Sequence, residues 1–114
     1  MQKVTESEQG YRGGKSGVKY LFRGPNLDWG VILLLPGERL GEHFHSEVEE
    51  TFYVLDGQVA CCGDGVRHSL AAGDAVRFEA PEHHDMANEG DRPVKMLFIK
   101  HPYLPKDRVD VQKL

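Results

Sequence analysis

From Val18 onward, short apolar runs alternate with Gly, Pro, Asn and Asp, and no stretch sustains a helical period. This punctuation predicts nine strands, at residues 18–23, 29–35, 40–45, 51–55, 58–62, 66–70, 75–79, 84–87 and 94–100. Gly63-Asp64-Gly65 predicts a tight hairpin, and Asp56-Gly57, Gly73-Asp74, Gly24-Pro25-Asn26 and Pro36-Gly37 predict further turns. Many short strands with dense turns make the fold class all-β, a sandwich or barrel. Residues 1–16 are polar and include Gly10, Gly13 and Gly14, which predicts a flexible arm ahead of a barrel at 17–103. Residues 104–114 read as a charged tail forming at most a short turn.

Two of the predicted strands depart from the alternation of a half-wet antiparallel sheet. Val31-Ile32-Leu33-Leu34-Leu35 and Met96-Leu97-Phe98-Ile99 are apolar on both faces. Their second face needs a cover. A partner subunit is the simplest one, so a homodimer is expected; the alternative is that the N-terminal arm folds back.

Length and charge narrow the function classes. A chain of 114 residues holds one core. A net charge of −4, with no two Lys or Arg residues adjacent, argues against nucleic acid as a partner. The longest aliphatic run, 31–35, is far below a membrane span, and the first ten residues lack a signal-peptide core, which predicts a cytoplasmic protein. Cys61 and Cys62 are adjacent, so on a strand they face opposite ways. One is expected in the core and the other at the surface, unbridged.

The chemistry gathers on four residues. His43 and His45 are two apart on a predicted strand and aim both imidazoles at one point. Glu50 opens the next strand on the parity of Phe52 and Val54, which leaves Glu47 and Glu49 as a solvated acidic loop. His84 arrives from a distant segment. Three imidazoles and one carboxylate suit a divalent transition metal: manganese, iron, nickel, copper or zinc. An ion that prefers about six donors would keep about two positions for a small molecule. The inward parity of these strands makes Phe52, Val54, Phe78 and Met86 the expected pocket lining, with no inward arginine, since Arg77 should face out. No catalytic group stands out; His83 and Tyr53 are the candidates for proton transfer. His68 and His101 have no partner at ligand spacing and read as surface residues, and Asn88 reads as a turn-fixing residue.

The spacing itself carries a resemblance. Gly37, five residues, His43-x-His45, four residues, Glu50, six residues and Gly57 match the first motif of the cupins without a gap. Gly73, five residues, Glu79, one, Pro81, two, His84, three and Asn88 keep the spacing of the second motif, with Glu79 and Pro81 where Pro and Gly are usual. The chain thus resembles a single-domain microbial cupin from about Trp29 to Lys100. The resemblance implies a double-stranded β-helix, or jelly-roll, barrel with a metal held by His43, His45, Glu50 and His84. It also implies a metal-dependent enzyme acting on a small organic molecule, a dioxygenase-type oxidoreductase being the specific expectation. The alternative is a non-catalytic small-molecule-binding or sensor cupin with a structural metal.

Overall fold

The computed structural model describes residues 1–111. It contains ten strands: β1 (Gly17–Arg23), β2 (Asp28–Leu34), β3 (His43–His45), β4 (Glu49–Asp56), β5 (Gln58–Gly63), β6 (Val66–Ala71), β7 (Ala75–Phe78), β8 (His84–Ala87), β9 (Val94–His101) and β10 (Arg108–Asp110). Two antiparallel five-stranded sheets face each other, in the orders β1-β2-β9-β4-β7 and β10-β3-β8-β5-β6. Both follow from the period-two pattern, which gives each strand one apolar row. Ile32, Leu34, Phe52, Val54, Val59, Cys61, Phe78, Met86, Val94, Met96 and Phe98 from the two inner faces form one core.

The β5–β6 hairpin turns through Asp64 and Gly65, at φ of 45° and 82°. Two successive positive φ values match the right-handed twist of the flanking strands, and Asp and Gly tolerate them. Gly57 has a stricter requirement, because a Cβ there would lie 2.6 Å from the Pro93 carbonyl oxygen. The segment with Glu79 and Pro81 still delivers His84. Glu82 N–H donates to the Glu79 carbonyl at 2.8 Å, and His83 N–H donates to Asp64 Oδ1 at 3.0 Å.

One expectation about the tail is corrected. The tail is more than a turn: Arg108–Asp110 forms β10, paired with β3 in the register Arg108↔His45, Val109↔Phe44 and Asp110↔His43. It has no apolar alternation to reveal it, and all three residues are exposed. Residues 112–114 of that tail lie outside the described residues. At the other end, Glu6 accepts from Lys95 Nζ at 2.9 and 2.8 Å, and its carbonyl accepts from Lys19 Nζ at 3.1 Å. The Lys19 ammonium also sits 4.0 Å from the Tyr11 ring centroid. Lys19 and Lys95 are the register partners of Val31 and Leu33, so the arm lies over the outer face of β1, β2 and β9. Val31 is 3% exposed within the single chain. The arm thus reaches the two lysines beside this face, as the folded-back alternative expects.

Both cysteines are free, with Cys61 buried in the core and Cys62 half-buried. Burial, with Cys62 next to it, pushes the Cys61 thiol up to about 11, so it is an unreactive core group.

Candidate metal centre

Three strands deliver the four residues to one end of the barrel. β3 alternates His43 and His45 inward with Phe44 between them; β8 opens on His84, paired across from His43. β4 brings Glu50 from the opposite sheet, while Glu49 stays half-buried on the other parity. All four are buried, and one donor atom from each lies within 4.8 Å of every other. Glu50 Oε1 is 3.1 Å from His45 Nε2, 3.1 Å from His84 Nε2 and 3.7 Å from His43 Nε2.

The outer nitrogens decide what the inner ones are. His43 Nδ1 is 2.7 Å from the Gly41 carbonyl, His45 Nδ1 3.2 Å from that of Asp107 and His84 Nδ1 3.0 Å from that of Glu82. A carbonyl only accepts, so each Nδ1 carries the proton and each neutral ring turns the lone pair of Nε2 inward. The centre then holds three lone pairs and a carboxylate, all acceptors. A metal ion satisfies all four at once, where protons would have to be added to the imidazoles one by one. Burial raises the Glu50 carboxyl; imidazoles of His43, His45 and His84 that carry a proton on Nε2 as well, with Lys100 behind them, lower it well below the usual carboxylate range. Three imidazole nitrogens and one carboxylate oxygen within 4.8 Å of one another are a donor set that fits a divalent metal.

Aromatic walls and a polar brace hold the set in place. The Phe78 ring stacks on His84 at 4.3 Å and 5°, and Phe52 meets the same imidazole edge-on at 6.2 Å. Val54 and Met86, expected beside them as pocket lining, have no exposed surface and fill the core. Asp85, directly after His84, accepts the Gly41 N–H at 2.9 Å and a two-pronged contact from Arg39. Gly41 is the residue whose carbonyl holds His43, so one carboxylate ties the loop behind His43 to the strand of His84. Such partners fix ring orientation in metal sites.

The proton-transfer candidates do not join this group. Tyr53 is 42% exposed on the outer parity of β4. His83 is exposed and stacks on Phe44 at 4.7 Å. His68, His101 and Arg77 are exposed, as expected. Asn88 is the expected turn staple: its Nδ2 donates to the Leu34 and Arg92 carbonyls at 2.9 and 2.7 Å, and its Oδ1 accepts from Gly90 at 3.0 Å.

Two groups at the centre were not singled out from the sequence. Lys100 shares the inward parity of Met96 and Phe98 on β9 and is the register partner of Glu50, a placement its strand parity could have revealed. Its Nζ is 3.1 Å from Tyr20 Oη. With His45, Tyr20, Arg23 and Asp28 it lines a small cleft of about 20 Å³. Asp28 Oδ1, buried in that cleft, has no hydrogen-bond partner among the described residues; Arg23 Nε approaches only to 3.6 Å. The second group is Asp107, whose backbone carbonyl accepts from His45 Nδ1.

Comparison with known proteins places this geometry. The family model described as Cupin domain (Cupin_2) matches residues 30–100. The chain is a cupin. Polyketide synthase CurC of Streptomyces cyaneus is 34% identical over 77 residues, which are 68% of this chain and 50% of that protein. Gentisate 1,2 dioxygenase 1 of Aquipseudomonas alcaligenes is 39% identical over 66 residues, 57% of this chain and 19% of that protein. This cupin thus spans about half the length of CurC, and a smaller part of the dioxygenase. A conserved protein of Klebsiella pneumoniae subsp. pneumoniae with a double-stranded β-helix domain superposes with a TM-score of 0.83, at 18% identity and over 99% of each chain. That likeness bears on the fold, which is the all-β jelly roll expected from the motifs. No helix among the described residues is long and apolar enough to cross a membrane.

Proposed function

We propose that this cupin is a metal-dependent enzyme acting on a small organic molecule, with dioxygenase-type oxidoreductase chemistry as the specific reading. The observation that carries it is the convergence of four acceptor atoms within 4.8 Å, three of them on rings whose outer nitrogens are tied to carbonyls. His43, His45, Glu50 and His84 would hold one divalent transition metal. Such an ion supplies Lewis acidity and, if redox-active, a binding centre for oxygen. The chain's own contribution is a buried site that orients four donors, with Lys100 beside it as the group able to hold an anionic end of the substrate or a proton on Nζ. Likeness to a protein named as a gentisate dioxygenase supports oxygen chemistry. Likeness to one named as a polyketide synthase supports a ketone-rich substrate.

A second reading, a binding or sensor cupin with a structural metal, is favoured by one observation. All four residues are at most 3% exposed, and the cleft beside His45 measures only about 20 Å³, room for about one water. Metal analysis of the purified protein, followed by oxygen-uptake screening across diketones, catechols, thiols and hydroxy acids, separates the two. Metal-dependent uptake with one class supports the enzyme, and bound metal without turnover of any class supports the binding module.

A further inference from the structure

The described residues contain a device for holding this centre that lies outside the matched family segment. Asp107 is in the C-terminal stretch, six residues beyond the end of β9, and is half-buried. Its Oδ2 accepts the N–H groups of Glu47 and Val48 at 2.8 and 2.9 Å, and its Oδ1 accepts that of Ser46 at 3.1 Å. Three successive backbone donors thus close on one carboxylate, the arrangement that makes a turn an anion nest. The same residue's carbonyl receives His45 Nδ1 at 3.2 Å. Directly after it, β10 pairs with β3 along its whole length, and Val111 N–H donates to the Glu42 carbonyl at 3.0 Å.

The position of the nest matters more than its strength. Ser46, Glu47 and Val48 are the whole connection between β3, which ends on His45, and β4, which carries Glu50 as its second residue. The conformation of those three residues sets where the Glu50 carboxylate stands relative to His45 Nε2. Asp107 therefore acts on two of the four metal-facing residues through one side chain and one carbonyl. It fixes the tautomer of His45 and the length of the bridge from His45 to Glu50.

We propose that Asp107 is a positioning residue for the metal centre, and that the C-terminal segment is a latch closing the loop between His45 and Glu50. This rests on the reading of His43, His45, Glu50 and His84 as metal ligands. Asp107 itself touches no metal; its effect is carried by the backbone of 46–48 and the ring of His45. Because the matched family segment ends at residue 100, the latch is a feature of this chain beyond the shared motif.

The test titrates Co²⁺, a spectroscopic probe, into the metal-free protein in competition with a chelator, and records the visible ligand-field spectrum. Asp107→Ala is expected to weaken Co²⁺ about tenfold to hundredfold, the range seen when groups behind metal ligands are removed, and to shift the bands of the ion that still binds. Asp107→Asn, which keeps one acceptor oxygen and folds with less disturbance, is expected to fall between Asp107→Ala and wild type. Asp91→Ala, at an exposed position on the loop before β9 and outside the latch, serves as the control and should bind as wild type does. Variants of Asp107 that melt lower but keep the affinity and the spectrum of wild type would overturn the latch and leave an ordinary structural residue. A wild type that takes up no Co²⁺ would overturn the metal reading, and the latch with it.

Discussion

Glu50→Gln is expected to push stability and metal binding in opposite directions. In the metal-free centre the Glu50 carboxylate faces Nε2 of His45 and His84, both at 3.1 Å, and each ring is held by a carbonyl at Nδ1. With neutral rings these are lone pairs facing a buried anion. A glutamine amide of the same shape offers two N–H donors to those lone pairs and removes the buried charge. Two neutral hydrogen bonds contribute about 1 kcal/mol each, so the metal-free protein should gain about 1–2 kcal/mol. An unfolding entropy of about 2.1 cal/mol/K per residue makes that a rise of about 4–8 °C in Tm for a domain of this size. The metal should respond the other way. Glutamine takes away the only anionic donor among the four, and affinity should fall at least about tenfold, or about 1.4 kcal/mol. The assay is thermal unfolding at pH 8 with chelator and again with saturating metal, beside a metal titration of both proteins. A Glu50→Gln variant that melts lower than wild type with chelator present would refute the reasoning. The carboxylate would then be held by protonated imidazoles, and the centre would be an ion cluster sufficient in itself.

Acidification should release the metal, because protons compete with the ion for the imidazole nitrogens; occupancy after dialysis against chelator at about pH 5 should fall well below that at pH 8, and equal occupancy contradicts the site. Phe98→Lys should unfold the chain, since Phe98 is fully buried on the inner face of β9, and the loss should exceed about 4 kcal/mol by urea denaturation; a folded variant would mean that the face assignment of β9 is wrong. Glu6, held below its ordinary range first by the hydrogen bond from Lys95, contributes stability that is present above about pH 4.3 and lost as pH falls through its lower folded value. Its side chain is 35% exposed, so the contribution is under about 1 kcal/mol, and Glu6→Gln should flatten the pH dependence of unfolding between about pH 5 and 3; an unchanged profile would mean that the arm is not held by this pair.

The strand order of chemistry was legible in the chain because its signal is local. Period-two alternation alone puts His43 and His45 on one face and Glu50 with Phe52 and Val54, and the structure buries all five inward. The hairpin at Asp64-Gly65 is legible for the same reason, since two residues suffice to specify its positive φ values. Lys100 obeys the same parity, yet a lysine among apolar neighbours reads as the frayed end of a strand until β4 is laid beside it with Glu50 opposite.

What the tertiary structure alone decided is everything held by hydrogen bonds between side chains and distant backbone. Asp107 meets Ser46, Glu47 and Val48 some sixty positions away, and Glu6 meets Lys95 across eighty-nine. Such contacts need one carboxylate and a few N–H or ammonium donors, groups that every polar segment carries, so they leave no periodic trace in the sequence. β10 is invisible for the same reason: a short edge strand with three exposed residues buries no apolar row, and only the ladder it makes with β3 defines it. The apolar second face of Val31 was legible as a surface needing cover, whereas the ion pairs of Glu6 with Lys19 and Lys95, the lysines beside that face, were not. Alternation thus determined which residues point at the centre, and long-range polar contacts determined what holds them there.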